Sequence, residues 1–176
     1  MKNFYCADRT AELLGITIGD APELDHSVTQ KFNLVMYYGD WSPKGLEASP
    51  IVRKVYRPPV GFPFYKTLAE SGYYAVRTSI LEKERTWDQQ IGAPRSPWQL
   101  CPAVIGITAA LLMFLDTEDS FLDGKSGSCA ENLGNGGHRP ALSLEKGILM
   151  VNNTARLGWD GHTFPMLKRI ECRKIG

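Results

Sequence analysis

"CPAVIGITAALLMFL", residues 101–115, is the longest apolar run in the chain, and its reading decides the architecture. A bilayer span takes about 20 predominantly apolar residues, so the run is short for a membrane and reads as a helix of a soluble protein. Pro102 suits a first helical position, where its missing N–H would have been unpaired anyway, which makes Cys101 a candidate N-cap. Further along, "RPALSLEKGILMVNN" (residues 139–153) sets Glu145-Lys146-Gly147 between two apolar runs. Glycine in the last loop position is the mark of a three-residue β-hairpin loop. That register opposes Leu144 to Ile148, Leu142 to Met150 and Pro140 to Asn152. It also puts His138 diagonally beside Asn152 on one face, and a slip of one residue substitutes Asn153.

Before the apolar run the chain alternates short β and α signals. "ELLGITIG" (12–19), "QKFNLVMYY" (30–38), "PIVRKVYR" (50–57) and "YYAVRTSI" (73–80) read as strands, with Phe32, Leu34, Met36 and Tyr38 on one face of the second. "KTLAESG" (66–72) and "SILEKERTWDQQI" (79–91) read as helices, the first stopped by Gly72. "PPVGFPFY" (58–65) cannot be a central strand because its three prolines remove ladder donors; it reads as an extended loop carrying Phe62, Phe64 and Tyr65. From Asp116 to Gly137 the chain is rich in Asp, Ser and Gly, and a loop of that length is functional, mobile or pinned by a partner. The expectation is an α+β fold in one domain, residues 1–176, with a largely antiparallel sheet, two or three helices and long loops.

Composition excludes several function classes. Twenty Lys and Arg against nineteen Asp and Glu give a net charge of +1, so no global field draws the chain to nucleic acid or anionic lipid. Cys6, Cys101, Cys129 and Cys172 form no CxxC pair, which argues against a zinc ribbon or a thioredoxin-type site and for four reduced thiols. "GKS" (124–126) lacks the first glycine of a phosphate loop, since Asp119 stands there. Asp116, Glu118, Asp119 and Asp123 lack EF-hand spacing. No metal or other cofactor is expected. "MKNFYCADRTAELLG" has no continuous apolar core of a signal peptide. The expected location is the cytoplasm, or a particle assembled there.

Two functions compete. In the first, Cys101 at a helix start, His138 at a strand start and Asn152 or Asn153 at the next strand's end resemble the core of transglutaminase-like and papain-like cysteine hydrolases. The resemblance runs from Cys101 to about Asn153, and "NNTARLGWDGHTF" (152–164) is similar to the Asn-containing strand and Gly-Trp-Gly turn of papain-like enzymes. It implies that Cys101 attacks an acyl carbon, His138 moves the proton, and Asn152 or Asn153 orients the imidazole. Leu100 rather than glycine precedes Cys101, and the position of Gln99 does not match the papain-like oxyanion donor. The second reading, ranked first, is a non-enzymatic structural or interaction protein. Such a subunit would join protein partners, as a homo-oligomer or in a larger assembly such as a virus particle, with Phe62, Phe64 and Tyr65 as the anchor.

Overall fold

The computed structural model describes residues 3–57, 66, 68–80, 96–119, 121–122, 127–128, 139–154 and 168–175. The fold is α+β. In chain order the elements are β1 (Asn3–Tyr5), α1 (Ala7–Leu14), α2 (His26–Thr29), β2 (Leu34–Tyr38), α3 (Pro43–Glu47), α4 (Val52–Val55), β3 (Tyr56–Arg57) and β4 (Gly72–Ile80). There follow β5 (Gln99–Leu100), α5 (Ala103–Thr117), β6 (Gly127–Ser128), β7 (Arg139–Glu145), β8 (Ile148–Thr154) and β9 (Lys168–Ile175). The strands hydrogen-bond in the order β1-β2-β4-β9-β6-β7-β8-β3, and β5 adds a second short partner to β9. Most ladders are antiparallel; β1–β2, β3–β8 and β6–β9 are parallel.

The apolar run becomes α5, and Ala103 to Leu112 are all buried, so the helix is enclosed on every side rather than amphipathic. It touches β2 and β4 at one half of the sheet, β7 and β8 at the other, and α1 besides. Among the described residues no helix is long and apolar enough to cross a membrane. Glu118, left-handed at φ 57, ends α5 by donating its N–H to the Phe114 carbonyl at 2.8 Å. Arg9 of α1 bonds both Glu12 and Asp116, tying α1 to the last turn of α5.

The longest ladder, β4 on β9, carries a buried charge. Glu171 has no exposed side-chain surface, and its Oε2 accepts from Arg77 Nε at 2.7 Å and Nη2 at 2.6 Å. The same guanidinium lies 3.9 Å from the centre of the Trp98 ring, and Phe32 meets that ring edge-on at 5.9 Å. A carboxylate taken out of water is tolerated because a forked cation holds it.

Several local readings are corrected. "ELLGITIG" is not a strand: Glu12 to Leu14 close α1, Gly15 caps it at φ 61, and Ile16 to Gly19 lack regular structure. "PIVRKVYR" splits into α4 and β3, because Ser49 Oγ accepts from the N–H groups of Ile51 (3.2 Å) and Val52 (3.3 Å) and starts a helical turn. Leu68 to Ser71 are not helical, and Gly72, at φ 143, opens β4 instead of closing a helix. All five residues of β2 are buried, so its alternation marks two covered faces. The hairpin loop is two residues long, Lys146 (φ 50) and Gly147 (φ 77), both left-handed as a type I′ turn requires. Asp116 and Thr117 belong to α5, and Gly127–Ser128 form β6, so the stretch after the apolar run is shorter than a 22-residue loop from Asp116 to Gly137. Of the helix read over 79–91, Ser79 and Ile80 belong to β4 instead, held in its ladder with β9, and residues 81–91 lie outside the described residues.

Removing the cation from Glu171 tests the ladder. Arg77→Ala should lower the free energy of unfolding by about 2 kcal/mol, below the 3–5 kcal/mol of a fully enclosed pair because Arg77 is 43% exposed. Urea unfolding of the two chains reads this directly, and an unchanged midpoint would show that the carboxylate does not depend on Arg77.

Candidate functional site

Cys101 lies between β5 and α5 with no exposed surface, and its N–H donates to the Ile170 carbonyl at 2.9 Å. The helix N-cap is Pro102 (φ −52, ψ 142), so Ala103 is the first helical residue and Cys101 stands one position outside the cap. Its surroundings are core: Tyr74 packs near Cys172 and Cys101, and burial, followed by the charges of Cys172, Glu70 and Cys101, pushes the Tyr74 phenol up to about 12. The Cys-His-Asn reading needs its nucleophile at a surface; the structure puts that thiol inside. His138 lies outside the described residues. The β7–β8 register sets Asn152 opposite Ala141 and Asn153 opposite Pro140, one residue from the expected pairing, because the turn is shorter by one residue. Phe62, Phe64 and Tyr65 also lie outside the described residues. Cys6, Cys101 and Cys172 are in no disulfide, and among the described residues no group of three or more His, Cys, Asp or Glu is placed to hold a metal.

The open chemistry of the molecule is elsewhere. After Gly15 the chain runs as an irregular strap, residues 16–25, fastened to the core by the partly buried side chains of Ile16, Ile18, Ala21 and Leu24. Two depressions flank it and share Ile18, Gly19 and Asp20 as a common wall. The first, about 430 Å³, has Tyr37, Gly39 and Trp41 among its lining residues, together with Asp20, Asp40 and Leu68. The second, about 470 Å³, has Cys6, Asp8, Glu23 and Tyr73. Tyr37 and Tyr73 meet edge-on at 5.2 Å, so one aromatic pair spans both.

This surface is rigid for identifiable reasons. Trp41 Nε1 donates to Thr108 Oγ1 at 3.1 Å, and Thr108 donates to the Val104 carbonyl at 2.8 Å, which fixes the indole to α5. Tyr38 donates to the Trp41 carbonyl at 2.6 Å and accepts from Ala69 N–H at 3.1 Å. A Cβ at residue 39 would stand 2.6 Å from the Trp41 ring, so only glycine lets the indole lie there. Burial, with the Asp40 charge adding to it, raises the Tyr38 phenol above its usual value, although the Ala69 N–H pulls the other way.

A third depression, about 600 Å³, opens beyond α3 and is lined by Glu47, Pro50, Arg53, Lys54, Tyr56 and Arg57. Arg57 Nη1 donates to the Arg53 carbonyl at 2.7 Å and to the Tyr56 carbonyl at 3.1 Å, while Arg53 Nε donates to the Glu47 carbonyl at 3.4 Å. These backbone contacts hold the cationic side chains in place. None of the acidic or basic lining residues stood out in the sequence. Asp8, Asp20, Glu23 and Asp40 are separated along the chain, and the parallel β1–β2 pairing with α1 as its crossover brings them to one side. No family model, curated protein or solved structure matches this chain.

The burial of Cys101 has a chemical readout. Under native conditions iodoacetamide should label Cys6 and leave Cys101 and Cys172 unmodified, both becoming reactive on denaturation. Fast native labelling of Cys101, followed by peptide mass spectrometry, would show an accessible thiol and favour the hydrolase reading.

Proposed function

We propose that the chain is a non-enzymatic interaction protein, a subunit that joins protein partners in a larger assembly. The observation that carries this reading is the pair of adjoining depressions along the 16–25 strap, with Tyr37, Trp41 and Tyr73 in their linings and carboxylates about them. The three rings are themselves buried, at 4%, 9% and 6% exposure, so they form a rigid floor to the depressions, and a partner that fits this preorganised floor loses little entropy on docking. Leu68, 56% exposed and lining the first depression, adds an apolar side chain that gains by being covered. The enclosed Cys101 also favours a surface role over a cysteine mechanism. The extended loop with Phe62, Phe64 and Tyr65 is a second anchor in this reading, on sequence grounds.

Leu68→Glu puts a charge into the first depression without touching the core. The unmodified chain should form species heavier than its 19.6 kDa in sedimentation velocity, and the variant should lose at least tenfold in association while its thermal midpoint moves little. A variant that associates as well as the parent would remove this surface from the proposal.

A further inference from the structure

We infer that the two sides of α3 form a two-fold self-association surface. The acidic depression of one copy receives the basic depression of a second copy and offers its own basic depression in return. The inference rests on the assembly reading and adds its partner, a second copy of this chain, and its chemistry.

The first support is the partition of charge. On one side of α3 lie the exposed carboxylates Asp20 and Asp40, and on the other the exposed cations Arg53, Lys54 and Arg57 with Glu47 among them. Among the lining residues, three cations less one carboxylate leave +2 facing the −2 of the aspartates, with the exposed Lys44 of α3 a further cation between them. The whole chain carries only +1, and copies therefore meet without long-range repulsion.

The second support is placement. Gly45 lines the acidic depression and Glu47 the basic one, both from α3, a helix of five residues and about 7.5 Å at the usual rise. An isologous dimer needs a self-complementary patch in which what one copy offers the other accepts. Opposite charges on the two sides of one short helix meet that need, since a two-fold axis passing by α3 forms both contacts at once. Gly45 and Ala48 are exposed there and small, which lets two copies approach closely.

The third support is apolar. Among the described residues the exposed large hydrophobic side chains are Leu68 at 56% and Ile51 at 39%. Leu68 lines the acidic side, while Ile51 is not part of the basic lining and sets its side chain against Gly15, at the start of the strap, so Leu68 is the apolar group the contact would cover. Charge steers and registers such a contact, while the covered apolar group holds it.

Charge exchange tests this in the full chain. Sedimentation velocity of the parent should show a dimer whose dissociation constant rises at least tenfold from low to high salt. Asp20→Lys with Asp40→Lys, and separately Arg53→Glu with Lys54→Glu and Arg57→Glu, should each abolish self-association. Mixing them should restore a 1:1 dimer, because one copy is then basic and the other acidic on both faces. All five positions are exposed, so native far-ultraviolet circular dichroism is expected of both variants. Should either reversal disturb the fold, Asp20→Asn with Asp40→Asn takes its place, with at least tenfold weaker dimerisation expected and an unchanged constant counting against the inference. A parent that is monomeric at every concentration overturns it. So do variants that associate like the parent, an outcome that leaves the assembly reading standing on another face, and so does a mixture that fails to pair.

Discussion

A helix that is apolar all round can exist in water only if it is covered all round, and α5 imposes that condition on the rest of the chain. Ala103 to Leu112 are buried without a break. Each such side chain left in solvent would forgo about 1.5–3 kcal/mol, so the surrounding elements must supply a continuous wall. The sheet does this by placing β2 and β4 against one part of α5 and β7 and β8 against another, with α1 as a further cover. The two halves are joined through β9, which pairs with β4 on one edge and with β5 and β6 on the other. In that central position the buried carboxylate of Glu171 is met by the Arg77 guanidinium.

The surface inherits its order from the same helix. Thr108 of α5 fixes Trp41, Trp41 accepts from Tyr38, and Gly39 leaves the space in which the indole lies. A lining residue of the first depression is therefore tied to the core by hydrogen bonds rather than carried on a free loop. Preorganisation of this kind reduces the entropy lost when a partner docks.

How much of this the sequence makes legible depends on how local the cause is. The apolar run and Pro102 announce the start of α5 to within one residue, while its end lies two residues past the run, at Thr117; the N-cap shifts from Cys101 to Pro102 because the proline's extended ψ of 142 precedes the first helical turn. The hairpin is legible from Lys146-Gly147 between apolar strands, but its register is not. Reserving the left-handed position for glycine alone argues for three loop residues, whereas Lys146 also adopts φ 50 and two suffice. "PIVRKVYR" alternates well enough for a strand, and only the side chain of Ser49, just outside it, turns its start into a helix. The acidic depressions are illegible because their residues meet through the β1–β2 pairing, a contact between distant parts of the chain; the basic one is local, within residues 47–57, but reading "PIVRKVYR" as one strand conceals the α4 turn that gathers its cations. A cysteine before an apolar helix is more often a small core residue than a nucleophile, and Cys101 is buried here.

In the proposed function the molecule acts through the surface around α3 and the 16–25 strap. Amide hydrogen exchange of the unmodified chain, followed from dilute to concentrated solution, tests that claim most directly. Protection should rise with concentration at the strap and at residues 44–57 and stay constant in α5, which is already enclosed in a single copy. Protection that is independent of concentration in both surface segments, or that changes only elsewhere, would contradict it.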